Sequence, residues 1–302
     1  MSFIQSPFGL TVLMILGLTM FGAPIGLSMI GASIFYLFFV GQDIGIAAEQ
    51  LLQGIYNSYT LLSVPLFIIA ANFMSLGAMS DKLMEFCNAL VGRFRGGMGH
   101  VNVISSLIFA GMSGSAVADA VGIGKLTIEM MVKDGRYTPS YAAAITAATA
   151  VIGPIIPPSI PMVLFALVSD ASIGYLFLAG VIPGILMALV MSLVNWRMAI
   201  KHDFPVEAPV PIRELPRITW ESLPALMMPV VLLGGIYGGV MTPTEAAAVA
   251  ASYALVVSWL LYRSVTLRAT YTSLVSSARN TASVGILIAG ALVFNYVVTI
   301  EN

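Results

Sequence analysis

The sequence predicts an all-α, polytopic membrane protein, and three observations carry that prediction. Of the 302 residues, 59% are hydrophobic and 9% charged, whereas a soluble domain carries roughly a quarter charged residues. Apolar runs of about 17 to 25 residues, each long enough to cross a bilayer, recur along the chain. Within one of them, VIGPIIPPSIPMVLFA (151–166) places Pro154, Pro157, Pro158 and Pro161 inside eight residues. That run must therefore be a discontinuous helix, because each proline removes a donor and clashes with the preceding turn.

The elements follow in order. Residues 8–40 read as two closely connected spans, separated by GAPIG at 22–26. Residues 42–60 are mixed, with apolar residues at helical spacing, and predict an interfacial segment. A third span covers 61–79 and contains Pro65 and Asn72. The stretch 80–97 predicts an amphipathic basic helix opening on a Ser80–Asp81 cap. Further spans are expected at 139–168, 173–196, 222–240, 244–262 and 281–298, with a Pro-rich polar linker at 201–221. Cys87 is the only cysteine, so no internal disulfide is possible, and it reads as a small buried apolar residue. The net charge of −1 gives no reason to expect nucleic acid as a partner; the partner is the lipid bilayer. The opening MSFIQSPFGL has no Lys or Arg, so no signal peptide is expected.

Basic residues set the orientation. They fall in 82–95, 125–136, 197–217 and 263–279, and are missing from 41–58, 169–174 and 241–245. The first set is expected in the cytoplasm and the second outside. Segments 82–95 and 125–136 then lie on one side, with only about 30 residues between them, whereas two full spans need about 40. Residues 98–132 therefore predict a re-entrant hairpin whose tip is the small-residue stretch GMSGSAVADAVG (111–122). Residues 8–79 and 222–298 share one order of elements: span, Gly-Pro break, span, interfacial segment, Asn-bearing span. In the second set GGVMTPTE (238–245) is the break, 264–280 the interfacial segment and Asn295 the in-span amide. The two sets start on opposite sides, which makes them an inverted-topology repeat, a mark of secondary transporters. A second hairpin and a second Pro-broken span would be expected after residue 298.

The prolines also point to chemistry. Unwinding frees the carbonyls of Val151, Ile152, Gly153 and Ile156, and bare backbone at membrane depth is tolerated only where protein buries it or a cavity hydrates it. Na⁺, a hard cation that prefers oxygen ligands, would satisfy such carbonyls, with the hydroxyls of Thr146, Thr149 and Ser159 close in sequence. The plainer reading is a proline kink whose hydroxyls bond back to their own helix. Ser115 suits the N-cap of a half-helix over 116–132, with Asp119 near its first turn, where a carboxylate favours the dipole without any further role. A half-helix N-terminus at mid-membrane also attracts carboxylate groups. An organic anion beside Na⁺ would then be faced by Ser113, Gly114, Asp119, Thr149 and Ser159. Asn72 and Asn295 read as braces between helices, Glu245 as a helix-start residue, and Lys125–Glu129 as a solvated ion pair.

GMSG also matches the GxSG of rhomboid-type intramembrane serine proteases, which would make Ser113 a nucleophile. A histidine base must then lie within hydrogen-bond reach. His100, thirteen residues earlier on the same arm, would be about 20 Å away if helical, and His202 lies in the cytoplasmic linker. No diphosphate, zinc-protease or Walker motif occurs, so an enzyme is not expected.

Together, GMSGSAVADAVGIG (111–124), GPIIPPS (153–159) and GGIYGGVMTPTEAAAVAA (234–251) resemble the large membrane subunit of tripartite ATP-independent periplasmic (TRAP) transporters, over nearly the whole chain. The resemblance implies a Na⁺-coupled importer of organic acids in the bacterial inner membrane. A periplasmic solute-binding protein would deliver the solute, a small four-helix membrane subunit would support the scaffold, and an elevator motion would carry the cargo. Residues 1–97 would then be scaffold helices and interfacial arm, 98–200 the first half of the transport domain, 201–221 the cytoplasmic linker, and 222–302 the start of a second repeat. The first Na⁺ site would involve Ser113 and Ser115, with backbone oxygens around Gly153, Ile156 and Pro158. A one-component divalent-anion/Na⁺ symporter is the alternative. The family's second hairpin and second sodium site would lie beyond the residues seen here.

Overall fold

The structure, a computed structural model, describes residues 6–56, 59–76, 78–169, 171–204, 206 and 209–301. Positions 1–5, part of the charge-poor opening, and 205, 207 and 208 of the predicted linker lie outside the described residues. Among the described residues all regular structure is helical.

The first two helices are α1 (Pro7–Met20) and α2 (Ile25–Val40). Ser6 caps α1 by accepting from the Gly9 amide at 3.0 Å, and Pro7 occupies the first turn, where no N–H is needed. Between them Gly22 takes φ +89°, a turn conformation that a side chain would disfavour. A short amphipathic α3 (Gly45–Tyr56) and one 3₁₀ turn (Tyr59–Leu62) lead into α4 (Ser63–Ser75). Next comes α5 (Ala78–Val91), which begins two residues before the predicted Ser80–Asp81 cap. The Ser80 hydroxyl donates back to the Met74 carbonyl at 3.0 Å, so it closes α4 rather than opening α5.

The hairpin follows. Its first arm is α6 (Gly97–Ser113). The return arm is α7 (Ala116–Asp119), a π turn (Ala120–Gly124) and α8 (Lys125–Val132). The half-helix expected over 116–132 is thus interrupted by the π turn, a feature common at functional sites. The Pro-broken span consists of α9 (Pro139–Ala150), an irregular stretch over 151–159, and α10 (Ile160–Ser169). The chain continues through α11 (Ile173–Lys201), α12 (Leu215–Tyr237), α13 (Pro243–Val256) with a π turn to Leu261, and α14 (Leu267–Glu301). Thr242 and Glu245 form a capping box at the start of α13, the helix-start role read for Glu245.

Among the described residues four helices, α11, α12, α13 with its π turn, and α14, are long and apolar enough to cross a membrane. Several boundaries differ from expectation, two of them with a clear reason. Residues 264–280 were expected to form an interfacial segment separate from the last span, yet α14 runs unbroken for 35 residues. Nothing in that stretch is a helix breaker, since Gly and Pro are absent from 264–284. In turn, α12 begins inside the predicted linker, with Pro216 in its first turn.

Packing is reciprocal: α2 lies on α14, and α4 on α13, while α4 also meets α14. In lipid, helices associate by close fit rather than by a hydrophobic drive, so small residues mark the crossings. Gly26 and Gly290 bring α2 and α14 together so tightly that a Cβ on Gly290 would sit 2.5 Å from the Gly26 carbonyl oxygen. Ala246, Ala247, Ala250 and Ala254 do the same for α13. The largest buried cluster joins α4, α5, α6, α12 and α13 through Phe67, Met74, Leu83, Phe109, Met112 and Leu232, and buries Cys87. A smaller one fixes the irregular stretch, with Ile152 and Ile156 between Val103 and Ala110 of α6 and Ala188 of α11.

Candidate functional site

The hairpin tip and the irregular stretch meet. Gly114 ends α6 at φ +60°, and its carbonyl accepts from the Ile160 amide at 3.3 Å. A Cβ there would lie 2.3 Å from the Pro158 carbonyl oxygen. One turn earlier in the break, a Cβ on Gly153 would lie 3.0 Å from the Ser115 carbonyl carbon. Gly114 and Gly153 are therefore glycine for the same reason: two main chains touch where a side chain would stand. Ser115 caps the return arm by accepting from the Ala118 amide at 3.3 Å. From the other side α11 seats the break with Gly180, where a Cβ would be 2.2 Å from the Ile155 carbonyl oxygen, and Gly184, which holds the Ile156 side chain.

The carbonyl accounting differs in one detail from the expectation. Ile152 is not freed; its carbonyl accepts from the amides of Ile155 and Ile156, both at 3.0 Å. The Pro154 carbonyl accepts from the Ser159 hydroxyl, which is the back-bonding of the plainer kink reading. The carbonyls of Val151, Gly153 and Ile156 accept no hydrogen bond among the described residues. At the hairpin tip the Ser113 hydroxyl is fully buried and has no partner among the described residues. A buried hydroxyl without a partner costs about 1–3 kcal/mol.

A cavity of about 760 Å³ opens against this junction. One wall carries Ser113, Ser115 and Lys125 of the hairpin, and the other carries Asn72, Ser75 and Asn280 of α4 and α14. Lys125 and Glu129 stand at 3.9 Å from each other and are exposed, as an ion pair facing water would be. Asn72 donates to the Ser277 hydroxyl at 2.7 Å, the brace read for it, whereas the partly buried Asn295 side chain makes no hydrogen bond among the described residues.

Not every residue expected to face a solute lines this cavity. Asp119 and Thr149 are fully buried on the far side of the return arm, and Ser159 is turned back on Pro154. Thr149 and Thr146 belong instead to a buried polar network with Asn102 of α6. The Asn102 amide donates to the Thr146 hydroxyl at 2.7 Å and its oxygen accepts from Thr149 at 2.8 Å. Ser106 reaches Thr149 at 3.3 Å. Asp119 lies beside Ser106, but neither carboxylate oxygen receives a hydrogen bond of good geometry. Sequence reading missed Asn102 and Ser106. Their signal was the polar pair at i, i+4 in the otherwise apolar arm VNVISSLIFAG (101–111). It also missed Asn195, whose amide donates to the Gly96 carbonyl at 3.1 Å and accepts from the Tyr141 hydroxyl at 2.6 Å.

The arrangement does not suit bond cleavage by Ser113. Ser113 is fully buried, and His100 stands near the opposite end of the 17-residue α6, so no histidine among the described residues can take its proton. Among the described residues no cluster of metal-binding His, Cys, Asp or Glu occurs either.

Known proteins resemble the chain along nearly its whole length. The family described as "Tripartite ATP-independent periplasmic transporter, DctM component" matches residues 12–302. The chain is similar to the sialic acid TRAP transporter large permease protein SiaM of Vibrio cholerae, at 39% identity over 95% of this chain and 67% of that protein. It is 36% identical to the 2,3-diketo-L-gulonate TRAP transporter large permease protein YiaN of Escherichia coli, over 97% of this chain and 70% of that one. To the C4-dicarboxylate TRAP transporter large permease protein DctM of Vibrio cholerae it is 36% identical, over 84% of this chain and 56% of that one. The chain thus spans between about half and 70% of the length of these relatives.

Proposed function

The chain belongs to the DctM component family of tripartite ATP-independent periplasmic transporters, and from that premise we propose that it is the Na⁺-binding, solute-carrying part of an organic-acid importer. The protein is a multi-pass membrane transport subunit and not an enzyme. In the proposed mechanism Na⁺ binds between Ser113 and Ser115 at the hairpin tip and the backbone oxygens of Gly153, Ile156 and Pro158. The bound ion fixes the tip against the break. The solute carboxylate then takes the half-helix that starts at Ala116, beside the ion. The observation that carries this reading is the buried Ser113 hydroxyl, without a partner among the described residues, at a hairpin tip whose Gly114 and Ser115 main chain touches the break at Pro158 and Gly153.

The remaining parts of the proposal are global. Reciprocal packing of α2 on α14 and α4 on α13 supports an inverted repeat. The hairpin, α9, α10 and α11 meet around the break and are the group that an elevator motion would carry, with α6 also packed on α4, α5, α12 and α13. A periplasmic solute-binding protein and a small four-helix membrane subunit would complete the transporter in the bacterial inner membrane. The carboxylates named for the relatives, sialic acid, 2,3-diketo-L-gulonate and C4-dicarboxylates, define the solute class. To test this, the full-length protein is reconstituted with its binding protein and small subunit, and organic-acid uptake is followed with and without a Na⁺ gradient. Uptake indifferent to Na⁺ defeats the mechanism. Uptake without the binding protein would favour the one-component symporter instead.

A further inference from the structure

A second cavity, of about 330 Å³, lies away from the transport site, where the end of α5, the start of α6 and the last turns of α11 meet. Beside it the start of α6 packs tightly on side chains of α11. A Cβ on Gly99 would fall 2.0 Å from the Asn195 side-chain oxygen, and one on Gly96 2.6 Å from the Ala199 methyl. The apolar wall is Val91, Phe94, Ile104 and Trp196, and the polar groups are Arg95, His100 and Ser192.

The rim is cationic. Arg93 places its guanidinium over the Phe94 ring, 5.4 Å from the centroid, and the exposed Arg197 follows Trp196 on α11. Asp203 pairs with Arg95 but is 86% exposed, and an ion pair that open to water holds weakly. Below the rim α11 exposes Leu186, Leu189, Val190, Leu193 and Val194, a face suited to hydrocarbon. Cations, then an indole, then an apolar track is the order of a leaflet from headgroup to acyl chain. The same basic residues set this end in the cytoplasm.

We propose that this pocket binds an anionic phospholipid of the cytoplasmic leaflet. Its phosphate sits at Arg95 with His100 and Arg93 near it, and an acyl chain runs along α11. The proposal needs the membrane orientation but not the sodium site, so either can fail without the other.

The test uses the full-length protein with its small subunit, in nanodiscs of phosphatidylcholine containing a minority of phosphatidylglycerol, and native mass spectrometry counts the lipids retained. Phosphatidylglycerol should be enriched over phosphatidylcholine. Arg93→Gln and Arg95→Gln should each lower that enrichment about fivefold, and Arg279→Gln, on α14, should leave it unchanged. Asp203→Asn should raise it by releasing Arg95, a gain that misfolding cannot imitate. Equal retention of both lipids, no response to the arginine variants, displacement by millimolar inorganic phosphate, or loss of the lipid when the small subunit binds would overturn the proposal.

Discussion

The Ile160 amide donates to the Gly114 carbonyl at 3.3 Å, joining the first turn of α10 to the hairpin tip. Two segments 46 residues apart in sequence are thereby registered to one another by main chain alone. Side chains at Gly114 would wedge them open. Gly114→Ala adds a methyl 2.3 Å from the Pro158 oxygen and also costs about 1 kcal/mol for the left-handed conformation. Na⁺-driven uptake by the reconstituted full-length transporter should fall at least tenfold, while the variant still inserts and purifies. Wild-type uptake would show that the contact is dispensable.

Much of this junction was legible in the sequence, because prolines and glycines state backbone requirements directly. The break at 151–159, the hairpin over 98–132, Ser115 as its cap and the helix start at Thr242–Glu245 all follow from residues whose conformational demands are narrow. What was not legible depends on partners remote in sequence. Asp119 and Thr149 could be placed near the tip but not on a face, since a helix in the interior of a membrane protein carries no amphipathic stripe to orient it. The continuity of α14 was missed for a related reason: Arg268 and Arg279 read as an interface, although a long helix can carry them into water without a break.

The two hairpin serines should separate stability from ion binding. Ser115 caps the return arm, so Ser115→Ala should lower thermal stability by about 1 kcal/mol as well as weakening Na⁺ dependence. Ser113 gives its hydroxyl no partner, so Ser113→Ala should leave the melting temperature unchanged or raise it. Its apparent Na⁺ affinity should nonetheless fall. Scintillation-proximity Na⁺ competition and thermal melts on the same preparations check both; unaltered Na⁺ affinity in Ser113→Ala would remove the site.

Asn195 ties three elements together, holding the Gly96 carbonyl and the Tyr141 hydroxyl. Truncation strands both partners in a buried setting. Asn195→Ala should therefore destabilise the protein by about 2 kcal/mol, seen as a lower melting temperature in detergent. Because the contact lies at the far end of α6 from the tip, the Na⁺ concentration giving half-maximal uptake should not move in the folded fraction.

Lys82 of α5 bridges Glu221 of α12 at 2.6 Å and Glu85 at 2.8 Å, at what the basic residues mark as the cytoplasmic surface. Glu221 first, then Glu85, hold the lysine above its ordinary value. A raised lysine contributes fully below its ordinary pKa of about 10.4 and loses its contribution only as pH climbs past the raised value. Between about pH 6 and 9, then, the bridge should not respond to pH. Lys82→Met should cost about 1 kcal/mol, since Lys82 and Glu221 are only partly buried. Melts in about 1 M salt, where screening is nearly complete, should erase the difference from wild type.

The crossing of α2 and α14 offers a test of the scaffold away from the hairpin–break junction. Gly26 and Gly290 are opposed, and a Cβ on either enters the other helix's backbone, at 2.7 Å from the Ile286 oxygen or 2.5 Å from the Gly26 oxygen. No flexible side chain stands there to yield. Gly290→Leu should push the helices apart, strip the van der Waals fit that holds apolar helices together in lipid, and break the Tyr36–Glu301 hydrogen bond of 2.8 Å farther along the same pair. Gly285→Leu, five residues earlier on α14 with open space at its Cβ, is the matched control. Expected is loss of the folded, monodisperse protein for Gly290→Leu and near-wild-type behaviour for Gly285→Leu, read by fluorescence-detected size exclusion. Equal tolerance of the two would mean that α14 does not depend on α2 for its place.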